Sequence, residues 1–161
     1  MQILIYGYGN PGRQDDGLGI EFVNRLEQWV SELGLSGFEF ENNYQLNIED
    51  AEAIAGKDLV IFADASEEDI KDFCISLVDG HAKLSFTTHA ASPGYIVRLC
   101  KELFNKNPLV LLVHIKGYEW EFQEGISEKA TVSLEQALDY MKKQLEDPLM
   151  IIKAPDKLKK C

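Results

Sequence analysis

The chain has 161 residues, 45% of them hydrophobic, enough for one sizeable core and too few for two ordinary domains. Sixteen Lys and Arg against 27 Asp and Glu leave a formal charge of −11, which argues against nucleic acid, whose affinity for proteins comes largely from neutralised phosphates. The longest apolar runs, 59–63 and 109–113, fall far short of the roughly 20 residues of a membrane span, and the N-terminus lacks the basic region and cleavage site of a signal peptide.

A cytoplasmic protein without a membrane partner is therefore expected. Cys74, Cys100 and Cys161 are odd in number, widely spaced and without a C-x-x-C pair. That pattern argues against a disulfide framework and a thiolate zinc site, and makes Cys74 and Cys100 buried, inert thiols. Residues 1–150 read as the single domain. Residues 151–161 read as a flexible tail, whose basic-rich part, 153–161, lacks an apolar face and reads as a frayed terminus.

In chain order, strands are expected at 2–7, 38–42, 59–65, 74–78 and 109–115. Three of them are nearly continuous apolar runs, which suits strands covered on both faces in a parallel sheet. Leu18, Phe22, Leu26 and Trp29 or Val30 recur at helical spacing from about 16 to 33, with Gly34 as the C-cap. Asn47 reads as the N-cap of a short helix ending at Gly56, and Ser92 as the N-cap of another with Pro93 at its first position. Leu134, Leu138, Met141 and Leu145 give one stripe to a final helix that stops before Pro148. Helices alternating with strands define an α/β fold, with layers of helices around a mainly parallel sheet of about five strands.

Between the first strand and helix lies "GYGNPGRQDDG", a literal G-x-G-x-x-G from Gly7 through Gly9 to Gly12. A dinucleotide loop would present helix N-terminal amides to a pyrophosphate. Here Pro11 removes a donor, and Asp15 and Asp16 stand where the helix should begin, so a Rossmann-type nucleotide binder is disfavoured. One of the two aspartates is expected to cap the helix. A second carboxylate exceeds what capping requires, and ligands in open α/β sheets bind beyond the carboxyl ends of the strands, so Asp16 should face a ligand site. Asp64 directly follows the third apolar run, and His89 lies just upstream of the Ser92 helix start. Each has an ordinary reading, as a turn residue or a surface histidine. Together with Asp16 they make a borderline metal site with open positions.

The segments "GYGNPGRQDDGLG", "LVIFADA", "THAASPG" and "GYEWEFQEGISEKA", in that order over about residues 2–146, resemble the hydrogenase maturation proteases. These endopeptidases trim the C-terminus of the large subunit of nickel-iron hydrogenases. The resemblance implies an α/β/α sandwich around a twisted sheet, of the phosphorylase/hydrolase-like type. It places the family's metal-binding positions on Asp16, Asp64 and His89, with Asp16 standing where the family has Glu or Asp. His81, in a probable turn, is the competing histidine, and His114 reads as a satisfied sheet histidine. Gly7, Gly9, Asn10 and Gly17 would form the loop that approaches the substrate, the glycines allowing a path that a Cβ would obstruct. The segment 44–51 is similar to members serving bidirectional hydrogenases, and Tyr44, Gln45 and Leu46 either line the same cleft or lead into the next helix.

The implied partner is a nickel-loaded precursor of the large subunit, handled by a monomer. Nickel comes with the substrate and need not be held permanently. The metal could serve recognition alone, or polarise the scissile carbonyl or a water. Ser85, Ser92, Cys74 and Cys100 form no recognisable nucleophile motif. Asp16 and Asp64 could share a proton as an aspartyl protease dyad, but the neighbouring histidine favours a metal. The alternatives are a nickel-dependent checkpoint protein that binds the precursor without cutting it, and the nucleotide binder.

Overall fold

The computed structural model describes residues 1–81 and 91–161. The elements run β1 (Ile3–Tyr8), α1 (Leu18–Leu33), β2 (Phe38–Asn43), α2 (Asp50–Ala55), β3 (Leu59–Ser66), β4 (Phe73–Leu77), α3 (Pro93–Phe104), β5 (Leu109–Lys116), α4 (Glu128–Leu145) and α5 (Pro148–Lys153). One sheet has the order β2-β1-β3-β5-β4. Its first four strands are parallel, and β4 pairs antiparallel with β5 at the edge.

The continuous apolar runs arise because successive residues of the inner strands enter different cores. Ile3, Ile5, Leu59, Ile61, Leu111 and Val113 share a core with α1 and α4. Leu4, Tyr6, Val60, Phe62 and Val110 share the other with α2 and α3. This is the expected three-layer α/β/α sandwich. The stripe Leu18, Phe22, Leu26 and Val30 is buried, and α1 ends on Gly34 in the left-handed conformation (φ 63°, ψ 31°). The Ser92 Oγ accepts the Tyr95 N–H at 3.2 Å and Pro93 opens α3, as anticipated. Among the described residues no helix is long and apolar enough to cross a membrane.

Four expectations are corrected. Neither Asp15 nor Asp16 caps α1: both lie in a 3-10 turn, Gln14–Gly17, and Gly17 is the N-cap without side-chain help. Asn47 does not cap α2 either. A turn precedes that helix, and Asn47 donates its backbone N–H to Asp50 Oδ2 at 2.7 Å. Cys74 is not a free thiol but is disulfide-bonded to Cys161, 87 residues away, leaving Cys100 as the buried free cysteine. Spacing could not show this pair, because only the fold brings β4 beside segment 155–161, and cysteine usage ceases to support a cytoplasmic location. That segment does not fray: Leu158 is 7% exposed in the core, and Ile75 bridges in parallel to Lys160.

Leaving β1, the chain goes through α1 to β2 on one side and returns through α2 to β3 on the other. The strand order therefore reverses at β1 and β3, and their carboxyl ends open a crevice there. Two glycines let α1 begin against this point. A Cβ on Gly7 would collide with the Gly19 carbonyl, and a Cβ on Gly19 with the Ala63 and Tyr8 carbonyls. Since the obstacles are backbone, they cannot rotate away. Gly19→Ala should therefore cost about 1–3 kcal/mol or more, in the range of other overpacking substitutions, read as a lowered denaturation midpoint with an unchanged m-value.

Candidate functional site

The loop after β1 is closed by its own polar groups. Asp16 Oδ2 accepts the Asn10 N–H at 2.9 Å, and Asn10 Oδ1 accepts the Gly12 N–H at 2.9 Å. Gly9 has φ +139°, and a Cβ there would strike the Asp16 carbonyl. Gly17 packs closely on Pro11, with 3.0 Å between the Cβ position and the Pro11 Cα. The N–H groups of Gly9, Arg13, Gln14, Asp15 and Asp16 go to the carbonyls of Asn43, Asn10, Gln123, Glu119 and Arg13. With these donors spent inside the protein, the loop lacks the amide cradle a pyrophosphate needs. The nucleotide reading fails on geometry as well as on charge.

Asp15 is fully buried and binds the segment after β5. Its Oδ2 accepts the N–H groups of Tyr118 (2.8 Å) and Glu119 (2.9 Å) and the Ser127 hydroxyl (2.7 Å), and its Oδ1 accepts the Ser127 N–H at 2.7 Å. Burial pushes its pKa up, but these donors outweigh burial and hold the carboxyl below its ordinary range. Ser127 Oγ in turn caps α4 by accepting the Ala130 N–H at 3.3 Å. Gln14 Oε1 accepts the Glu121 N–H at 2.9 Å, and Arg13 Nε donates to the Trp120 carbonyl at 3.0 Å. The Arg13 guanidinium lies 5.6 Å from the Trp120 ring centroid and 6.0 Å from that of Phe122.

Asp64 lies on the central strand, half-buried, two residues before the end of β3. Burial and then the Asp16 charge push its pKa up to about 7, against the opposing pull of the Ala65 N–H and the Tyr8 hydroxyl. The Tyr8 hydroxyl is itself pushed well above its ordinary range by burial and by the Asp64 charge. The Asp16 charge is thus felt at Asp64. His89 lies outside the described residues. Among the described residues no group of three or more His, Cys, Asp and Glu is gathered to hold a metal. Two carboxylates near the carboxyl ends of β1 and β3 could offer oxygen ligands to a cation.

His114 is the satisfied sheet histidine, with Nε2 2.6 Å from Ser76 Oγ, and burial lowers its pKa. His81 sits in a turn, its N–H on Asp79 Oδ1 at 2.9 Å. Sequence reasoning missed Tyr8, Arg13, Gln14 and the anchoring role of Asp15. The available signal was the long polar segment after β5, whose backbone N–H groups need acceptors from elsewhere in the chain.

The fold is shared with solved hydrogenase maturation proteases, and the resemblance read from the sequence is borne out in these comparisons. No protein-family model matches the chain. A protein of Methanocaldococcus jannaschii named as a hydrogenase maturation protease is 29% identical over 147 residues, covering 85% of this chain and 92% of its own. The crystal structure of the [NiFe] hydrogenase maturation protease HycI from Thermococcus kodakarensis superposes with a TM-score of 0.72 at 24% identity, covering 91% of this chain and 93% of that one. The hydrogenase maturating endopeptidase HybD from E. coli gives 0.71 at 20% identity, covering 92% and 94%.

The two carboxyls predict opposite pH behaviour. Asp15 has a depressed folded pKa, so its stabilisation is present above the ordinary carboxylate value near 3.8 and is lost as pH falls through the lower folded one. Asp15→Ala should cost on the order of 3 kcal/mol at neutral pH, because buried donors lose a charged acceptor. Asp64 has a raised pKa, so its contribution is favourable below about 3.8 and is lost as pH rises through about 7. Asp64→Asn should therefore raise the melting temperature at about pH 8 and leave it unchanged at about pH 4, as thermal melts across that range would record.

Proposed function

We propose that this chain is a peptidase that removes the C-terminal extension from a nickel-loaded precursor of the large subunit of a nickel-iron hydrogenase. The observation that carries the reading is the acidic pair, Asp16 with Asp64, at the switch point of a fold shared with the hydrogenase maturation proteases. The sequence likeness to the M. jannaschii relative supports it independently.

In this reading Asp16, Asp64 and His89 recognise nickel carried by the substrate. The two carboxylates supply hard oxygen donors and the histidine a nitrogen, a borderline set suited to nickel. The hydrogen bond from Asn10 holds Asp16 on the crevice side of the loop. Gly7, Gly9, Asn10 and Gly17 keep the loop low enough for a substrate chain to approach. The alternative, a checkpoint protein that binds the precursor without cutting it, is separated by the same experiment.

Incubation with nickel-loaded and nickel-free precursor, followed by mass measurement of the large subunit, should show loss of the extension from the loaded form alone. Precursor binding without any mass change would identify the checkpoint instead. Asp16→Asn and Asp64→Asn should reduce processing to background while the fold remains intact. Because neither side chain caps α1, lost processing cannot be ascribed to a lost helix cap. Gly9→Ala should disturb processing and also cost stability, because φ +139° and the Asp16 carbonyl leave no room for a Cβ. Unchanged cleavage by the Gly9 variant would show that the loop does not approach the substrate.

A further inference from the structure

We propose that Cys74 and Cys161 form a reversible thiol–disulfide clip that fastens segment 155–161 over the free edge of β4 and releases it on reduction. The inference is independent of the peptidase reading.

Strand β4 is the sheet's edge, where unpaired backbone groups invite pairing with another chain. Segment 155–161 covers that edge. Ile75 N–H donates to the Lys159 carbonyl at 2.8 Å, and Cys161 N–H donates to the Ile75 carbonyl at 3.3 Å. The Lys159 N–H is held by the Tyr140 hydroxyl at 2.8 Å, and its ammonium lies 4.1 Å from the Phe73 ring centroid. Leu158 alone enters the core from this segment. A cavity of about 310 Å³, lined by Ile75, Leu77, Leu111, Pro155 and Leu158 among others, lies between the segment and the strand. A few polar contacts and one apolar side chain across a partly open interface make a low-stability unit unless it is cross-linked.

The two sulfurs are unequal. Cys74 is 4% exposed, whereas Cys161 lies at the surface. A thiolate of a small dithiol reductant can attack the Cys161 sulfur, forming a mixed disulfide there. The Cys74 sulfur departs with the bonding electron pair and takes up a proton. The reductant's second thiol then closes its own disulfide and expels Cys161, which is protonated in turn. Two electrons and two protons enter the protein, and the dithiol is oxidised. The Cα atoms, 4.8 Å apart, need not move for the bond to re-form.

The clip also ends the sheet row that carries Asp64: in Cα register Asp64 lies beside His114, and His114 beside Cys74. Ser76, hydrogen-bonded to His114, has its hydroxyl 3.5 Å from the Cys161 sulfur. Opening the clip therefore removes one neighbour from a polar row reaching the candidate site.

The test is native hydrogen exchange with mass-resolved thiol alkylation, with and without dithiothreitol. In the oxidised protein Cys74 and Cys161 should resist alkylation. After reduction without denaturant both should react, and exchange of the Ile75 amide and of residues 155–161 should quicken by about tenfold or more while β1 and β3 stay protected. The surface variant Cys161→Ser should reproduce the released pattern without reductant. Alkylation of both cysteines before reduction, unchanged exchange at 155–161 after it, or loss of protection throughout the sheet would each overturn the clip. The last outcome would make the disulfide a staple of the whole fold.

Discussion

The organisation of the candidate site depends on one buried carboxylate. Asp15 has no exposed surface, and four hydrogen bonds carry its charge to three residues that follow β5. A buried charge is tolerated when every acceptor position is occupied by a good donor. That condition locks the loop after β1 to the segment after β5 and, through Ser127, to the first turn of α4. With Asp15 turned inward, its neighbour Asp16 is left with the Asn10 amide at the crevice. Adjacent residues of one type thus divide into a structural anchor and a candidate ligand, because their environments differ and not their chemistry.

That division acts on Asp64 only because α1 starts so close to the sheet. Gly7 and Gly19 allow the helix backbone to lie against the Tyr8 and Ala63 carbonyls, and Ala63 immediately precedes Asp64. Any side chain at either position would push the helix and the preceding 3-10 turn away from β3. The Asp16 charge reaches Asp64 and, after burial, is the next cause of its raised pKa. Strand order, glycine contact and carboxylate coupling are therefore successive steps of one constraint.

The layers were legible because periodicity and burial share a cause. Runs such as 59–63 are apolar throughout since each strand meets a core on either face, and the α1 stripe follows its single buried face. The positions of Asp16, in the turn after β1, and Asp64, near the end of β3, were legible because both follow apolar runs that read as strands. Asp15 was misread because capping is a local rule, whereas its partners lie more than 100 residues away. The cysteine pair failed for the same reason, its 87-residue separation being closed by topology alone. Segment 155–161 looked frayed because a single buried residue, Leu158, with backbone pairing to Ile75, leaves no periodic trace. His89, assigned by resemblance, lies outside the described residues.

The glycine motif shows how a spacing can persist while the sign of its ligand reverses. A phosphate loop keeps its amides free and its helix start uncharged, so a ligand meets donors and a positive dipole end. Here the loop amides are consumed by Asn43, Asn10, Arg13, Glu119, Gln123 and the Asp16 carboxylate, while the 3-10 turn carries two acidic residues. What remains at the crevice is chiefly acceptors, within a chain of net charge −11. A site whose donors are spent and whose carboxylates repel one another is poorly matched to an anion and well matched to a positive centre. The glycines give the backbone its path, and the hydrogen-bond ledger of the loop decides what that path can bind.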